Sequence, residues 1–420
     1  MVAGLSDEMT MESVEAFRTR TRAWMASALP SVEDPPLDSH ALQRLLFDNR
    51  FAGIAFPREY GGAGLTLEHQ KAFFDCAADL LRQVPAGYDH LVSVGMLGPT
   101  ILEHGSHEAK LRFLPALLRG DDVWIQLLSE PRGGSDMAGA TTRLTRDGHV
   151  YVLNGAKMWS TGAHVADYGL CLCRSDWDVP KHRGLSTVAV PLRGTPGLTI
   201  ERIRAASGEA GDFCQEFFDD VVLPTENLIG EEGTGWAVAQ TLLLHERNAA
   251  GSIGYGHLGP RLSGEDPTAS DGLLGPSALL AALRHRRTNG AVATKLANAY
   301  IESVVGALTS ARIMAGLRVG THRGGWGSVS KLQASVAKHE CIRTSLAALG
   351  AEGVIWDGAD VRLDNAGTVW LGSRGGTLAG GSNEMQRNIV SERLLGLPRE
   401  PSLDRDVPFN QVLRGLPAFE

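Results

Sequence analysis

Leu127–Asp136 reads LLSEPRGGSD, and the pattern of the chain changes at this stretch. Before it, apolar residues recur at helical spacing. Val14, Phe17, Trp24 and Met25 follow Asp7 and Glu8, and further helices are predicted over Ala41–Phe47, Glu68–Leu81 and Pro99–Leu118. Only Phe56–Leu65 (FPREYGGAGL) breaks that run, with a proline and paired glycines that predict a loop. From Trp124 onward the apolar runs are short and bounded by turn residues. Thr142–Leu144, Asp147-Gly148 and Val150–Leu153 predict a hairpin with a D-G turn, and Asn154-Gly155 predicts another turn. Tyr168–Cys173, Leu185–Pro191, Leu198–Ile203 and Cys214–Val222 are further strand-like runs. From Gly235 the helical period returns, in Trp236–Leu244 continuing to Ile253, Ala278–Arg287, Ala291–Leu317, Val329–Leu349 and Asn383–Leu395, stopped by Gly396 and Pro398. Leu262–Ser277 is rich in Gly, Ser, Asp and Pro and predicts an exposed loop. The fold class expected is therefore α+β: a helical unit over 1–123, a β unit over 124–232, a second helical unit over 233–400, and a tail over 401–420 without clear periodicity.

Bulk composition excludes several classes. Of 420 residues, 43% are hydrophobic and 21% charged, which suits a folded globular chain rather than a disordered one. The formal charge of −8, with both signs intermixed, offers no basic stripe for nucleic acid. It leaves room for an anionic ligand, which a few cleft arginines suffice to hold. Five scattered cysteines do not form a disulfide framework and fit a reducing cytoplasm. Cys171 and Cys173 would share one face of a strand, and a zinc site would need more ligands nearby. The N-terminal residues show no basic segment followed by an apolar core, so no signal peptide is expected. No apolar run approaches membrane-spanning length, and no G-x-G-x-x-G follows a predicted strand.

Chemistry concentrates in five stretches. In Leu127–Asp136 the glycines allow close backbone approach to a flat or phosphorylated ligand, and Ser129 and Ser135 can donate to it; a plain turn between elements accounts for the same residues. In Asn154–Ala163 (NGAKMWSTGA), Trp159 can cover a planar ring beside Ser160 and Thr161, or lie in a β core. The others are Phe217–Gly230 (FFDDVVLPTENLIG, then EEGTGW), Leu244–Arg247 (LHER) and Gly380–Arg399 (GGSNEMQRNIVSERLLGLPR).

Taken in this order, the five stretches resemble the acyl-CoA dehydrogenase family, whose usual wording runs T-E-P-x-x-G-S-D, N-G-x-K-x-W-I-T, F-x-x-V-x-V-P-x-E-N-x-L-G and a C-terminal G-T-x-E-x-Q-R. The resemblance spans about Tyr60 to Arg399. It implies a helical N-terminal domain, a middle β-barrel or sandwich, and a C-terminal four-helix bundle. It also implies FAD, with Gln126, Leu128, Ser129, Gly134 and Ser135 along the flavin and the acyl-CoA. Trp159, Ser160 and Thr161 would pack on the isoalloxazine, and Gly381, Ser382, Asn383 and Glu384 would approach from the other side. Ser135, Arg247 and Gly380 would contact substrate.

The implied reaction is α,β-dehydrogenation of an acyl-CoA thioester, which needs a carboxylate base for the α-proton. Many members carry it immediately before the C-terminal G-T; this chain has Gly380 there. Members of the isovaleryl and long-chain types place it before an arginine on an earlier helix, which here points to Glu246 and its neighbour Arg247. Glu384 is the second candidate, and a surface ion pair is the other reading of Glu246. The family's R-x-Q-F-G stretch is missing from Leu283–Gly290, LRHRRTNG, so the adenine side of the cofactor is expected to depend on a partner. The resemblance implies a homo- or hetero-oligomer, such as a dimer of dimers, and an electron-transfer flavoprotein as acceptor. It leaves open a flavin oxidase or monooxygenase on the same fold, and a non-catalytic or half-site subunit. The C-terminal DRDVPFNQVL resembles members acting on steroid side-chain or other bulky thioesters.

Overall fold

The computed structural model describes residues 11–28, 39–83, 92–206, 210–250, 290–322, 325–353, 370–402 and 404–412. The predicted loop Leu262–Ser277, the predicted helix Ala278–Arg287 and nearly all of Leu283–Gly290 lie outside them.

The first helical unit comprises α1 (Val14–Ala28), α2 (Ser39–Asp48), α3 (Leu67–Gln83), α4 (Gly98–His104) and α5 (His107–Arg119). Pro99–Leu118, expected as one helix, is two. Gly105 leaves the helical region, and the Ser106 hydroxyl starts α5 by accepting the Ala109 N–H. Residues Phe56–Leu65 form the expected loop, with one tight turn at Arg58–Tyr60. Phe17, Trp24, Phe51 and Phe73 centre one core cluster of this unit.

Among the described residues, seven strands make the middle unit: β1 (Trp124–Leu127), β2 (Arg143–Asp147), β3 (Val150–Thr161), β4 (Tyr168–Arg174), β5 (Leu185–Pro191), β6 (Leu198–Arg204) and β7 (Ala210–Pro224). Their order is β1-β4-β2-β3-β7-β6, with β5 on the other edge of β4. β1 runs parallel to β4, and the long ladders β2–β3, β3–β7, β4–β5 and β6–β7 are antiparallel. The D-G turn forms as expected between β2 and β3.

Asn154-Gly155 does not turn the chain. β3 continues through it, and the ladder slips between Leu153 and Gly155 because β7 carries the extra residue there, with Asp219 and Asp220 opposite Asn154. Gly155 has φ +139°, and a Cβ there would lie 2.8 Å from the Thr142 Cα, so a close backbone approach rather than a reversal selects the glycine. A second slip lies between Met158 and Ser160, with Trp159 at φ +66°.

The junction of the two units is aromatic. Trp124 stacks on Tyr168 at 4.8 Å and takes the edge of Phe113 at 5.0 Å, so strand β1 is anchored in the helical core.

The second helical unit contains α6 (Gly235–Ala250), α7 (Gly290–Arg318), α8 (Trp326–Leu349), the short α9 (Gly375–Leu378) and α10 (Asn383–Arg393). Leu296, Ala299 and Cys341 pack α7 on α8. Val238 and Leu242 of α6 join the same core as Trp124. A last turn, α11 (Phe409–Val412), lies in the tail, where the Arg174 guanidinium covers the Phe409 ring at 3.6 Å. Among the described residues, no helix is long and apolar enough to cross a membrane and no group of side chains could hold a metal ion.

Gly155→Val forces a branched side chain into a left-handed, crowded position. It is expected to cost about 2–4 kcal/mol, read as a lowered urea midpoint at unchanged slope.

Candidate active site

The Gly-rich loop after β1 is held from below by charge. Lys157 points inward from β3 and is fully buried; its ammonium lies 3.0 Å from Glu130 Oε1 and donates to the Leu128 carbonyl at 3.1 Å. Glu130 also accepts the N–H groups of Thr141 and Thr142 and the Thr141 hydroxyl, at 2.7–2.9 Å. Burial alone pushes this carboxyl up, but Lys157 and the two amides outweigh it and hold it at about 2. The Met158 N–H donates to the Ser129 carbonyl at 2.9 Å, which joins loop and strand a second time. Reciprocal bonds between Glu130 and Gly133 close the turn, leaving Gly134 and Ser135 exposed. Leu128 turns its side chain into the core while its carbonyl goes to Lys157.

Trp159 is 53% exposed, although large aromatic rings are usually buried. Its indole meets Phe213 edge to face at 6.0 Å, and Phe217 on the same strand as Phe213 is also exposed. Trp159 and Phe213 form an open aromatic face, and Met158, just before Trp159, is bonded to the Gly-rich loop. Thr161 is half-buried. Ser160, expected on the flavin with its two neighbours, is turned the other way. The bulge at Trp159 reverses the alternation of the strand and buries its side chain, which is hydrogen-bonded to Glu216 Oε1.

A third group gathers around Glu246. The carboxylate of Glu246, from α6, receives Gln126 Nε2 of β1 at 3.4 Å. On another side stands Gly380, where an added Cβ would lie 3.3 Å from Glu246 Oε1. Gly380 and Gly381 both have positive φ, +65° and +85°, and Gln386 donates to both carbonyls at 3.1 Å. Lys331 of α8 donates to the Gly381 carbonyl at 2.7 Å; burial pushes its ammonium down, against the pull of Glu384 and Glu246.

Three residues placed separately in the sequence, Gln126, Glu246 and Gly380, are thus brought together by β1, α6 and the turn before α10. The other expectations for that turn are met differently. Ser382 caps α10 by accepting the Met385 N–H, and Asn383 is buried, with its carbonyl oxygen bonded to Ser335 and Lys331. Glu384 is exposed and pairs with Arg387. Ser382 and Asn383 thus use their side chains to build the turn. The Arg247 side chain lies outside the described residues. Sequence reasoning missed Glu130, Lys157, Glu216 and Lys331. A signal was present for the first two, since both stand inside the quoted stretches and Lys157 falls on the inward side of a period-2 strand.

Family models match residues 9–121 (acyl-CoA dehydrogenase, N-terminal domain), 126–221 (middle domain) and 277–395 (C-terminal domain). Acyl-CoA dehydrogenase IpdE1 of Mycobacterium tuberculosis is 31% identical over 409 residues, covering 93% of this chain and 99% of its own. Among solved structures, a steroid ACAD named Tcur3481-Tcur3483 superposes with a TM-score of 0.68 at 26% identity, over 92% of this chain and 98% of that one. The ChsE4-ChsE5 complex of Mycobacterium tuberculosis does so with 0.63 at 25% identity, over 95% and 100%. The chain belongs to the acyl-CoA dehydrogenase family. It is an oxidoreductase of that kind, and members of the family are flavoproteins.

Lys157→Met strips the buried Glu130 of its cation and is expected to cost about 3–5 kcal/mol by urea denaturation; Lys157→Met with Glu130→Gln should recover part of that loss. Because the Glu130 value is depressed when folded, its contribution is fully present above the ordinary carboxylate value of 4.5 and is lost as pH falls toward about 2. Glu130→Gln should therefore flatten the acid limb of the stability profile in that window.

Proposed function

We propose that this chain catalyses FAD-dependent α,β-dehydrogenation of an acyl-CoA thioester with a bulky or branched acyl group, Glu246 taking the α-proton. The observation that carries the reading is the meeting of Glu246 with Gly380. Where many members place their base at position 380, this chain has no side chain, and the Glu246 carboxylate reaches to 3.3 Å from where a Cβ would stand. One side chain thus reaches the region that another supplies elsewhere in the family. The Gly380 N–H is suited to donate to the thioester oxygen, where enolate charge develops. Arg247, next on α6, is assigned to the substrate beside Glu246, and Ser135 to the acyl-CoA.

The residues present suit FAD. The exposed Trp159, the open glycine turn and the exposed Ser135 offer an aromatic face with backbone and hydroxyl donors beside it. Trp159 and Thr161 would hold the ring, Gln126, Ser129, Gly134 and Ser135 its edge, and the backbone of Gly381 to Glu384 the opposite side. Bound FAD supplies the hydride acceptor. An electron-transfer flavoprotein is the acceptor proposed for reoxidation. We assign 1–123, 124–232 and 233–400 as the three domains, with 401–420 as a tail.

We propose further that an unlike subunit completes the cofactor site. Support comes from two structural neighbours whose names pair two proteins, one of them a steroid enzyme. The name of the steroid enzyme favours a large, ring-containing acyl group. The free cysteines, most of them buried, suit a reducing cytoplasm.

Anaerobic addition of acyl-CoA should bleach the flavin. Glu246→Gln should slow bleaching by on the order of 10³-fold while retaining FAD; bleaching at the normal rate sinks the assignment. Rapid reoxidation by air would favour an oxidase instead. A homo-oligomer fully loaded with FAD would refute the unlike subunit. Gly380→Ala crowds Glu246 at a left-handed position and should lower the bleaching rate by about tenfold or more.

A further inference from the structure

We propose that Glu216 is a positioning residue that acts through Ser160: it sets how Trp159 and Thr161 are presented, and gaining or losing one proton switches that setting. The inference rests on the reading that Trp159 and Thr161 face the flavin.

The ladder geometry carries it. Between β3 and β7, Met158 pairs with Gln215 and Ser160 with Cys214, so Trp159 is the extra residue of the bulge, at φ +66°. The Ser160 hydroxyl, directly after the bulge, is bonded to Glu216 Oε1 and lies 3.4 Å from the Cys214 carbonyl. The other carboxyl oxygen of Glu216 is buried and has no partner among the described residues. In the wording usual for the family, W-I-T, an isoleucine stands where this chain has Ser160. A buried hydroxyl–carboxyl pair here therefore replaces an apolar residue immediately beneath the exposed indole.

Among the described residues, no cation pairs with that carboxylate. Lys157 stands directly across the ladder, but its ammonium is committed to Glu130 and the Leu128 carbonyl. Cys171 of β4 and Cys214 of β7 are the thiols coupled to it, and burial pushes both up, Cys171 to about 12, so they stay neutral. On β6 the residue opposite is Ile200. Burial pushes Glu216 up to about 7, against the opposing bonds from Ser160 and its own backbone and the charge of Lys157.

The two protonation states demand different hydrogen bonds. A neutral Glu216 donates its O–H to Ser160, which is then free to donate to the Cys214 carbonyl. An ionised Glu216 can only accept, so the Ser160 O–H donates to it. The Cys214 carbonyl then loses that donor and a charged oxygen is left buried, which loosens the bulge that carries Trp159.

The test is a pH titration of the FAD-loaded protein, with its partner subunit if one is needed, read by the flavin absorption band and the FAD dissociation constant. From about pH 6 to about pH 8 the wild type should lose on the order of tenfold in FAD affinity, with a matching band shift. Glu216→Gln should keep the low-pH spectrum and affinity throughout, and Ser160→Ala should uncouple the flavin from the titration. Near-UV circular dichroism, taken as the difference from Trp159→Phe, should show the same transition in protein without flavin. If Glu216→Gln does not fold, Ser160→Ile with Glu216→Val restores an apolar pair and should give a flat profile. A wild type with no transition overturns the proposal, as does a transition that persists in either variant. Glu246→Gln should lose flavin reduction yet keep the transition; reduction surviving in Glu246→Gln condemns the base assignment alone.

Discussion

The buried ion pair between Lys157 and Glu130 is the constraint on which the rest of the candidate site depends. It joins a loop that has little apolar surface of its own to a strand in the middle of the sheet. Without it, the turn from Glu130 to Asp136 would be an exposed Gly-rich segment held to β3 by little more than the backbone bond between Met158 and Ser129. Buried pairs are a weak source of net stability, because two ions lose their hydration. Here Glu130 regains hydrogen bonds from two amides and a hydroxyl, and Lys157 one more carbonyl, so both charges are satisfied as well as paired. The pair specifies position: any other register of the loop leaves a charge buried alone.

Around that anchor the site is assembled from pieces that no single segment contains. Strand β1 runs from the aromatic junction at Trp124 to Gln126, which meets Glu246, and the chain just past its end reaches Ser129, which meets β3. One short strand therefore carries the relation between the helical core, the carboxylate and the aromatic face. The positive-φ turn at Gly380 and Gly381 closes the other side, and Gln386 and Lys331 hold its carbonyls. Small residues at 380 and 381 are a geometric requirement there, and the room at 380 is what Glu246 uses.

Much of this was legible in residue order. Helix and strand periods separated the three units, and the long helices Gly290–Arg318 and Trp326–Leu349 lie within a few residues of their expected ends. The legible elements are those whose own residues carry the signal. The unbroken passage of β3 through Gly155 was not legible, because N-G is a turn signal and only the backbone of Thr142 pressing on it shows another use. Nor was the inward turn of Ser160, since a side chain two slips along a strand has no fixed face until its partner strand is placed.

By itself, the sequence determined the kind of protein: the alternation of helical and strand periods, the five ordered stretches, the glycine at 380 and the acid at 246. These are local properties, carried by residue type and spacing, and they survive without coordinates. Only the tertiary structure decided which residues meet. It brought Glu246 to Gly380 across more than a hundred residues, committed Asn383 and Ser382 to building a turn, and put a carboxyl group under Ser160. Such pairings depend on strand register and helix packing, which come from the whole core rather than from any one segment.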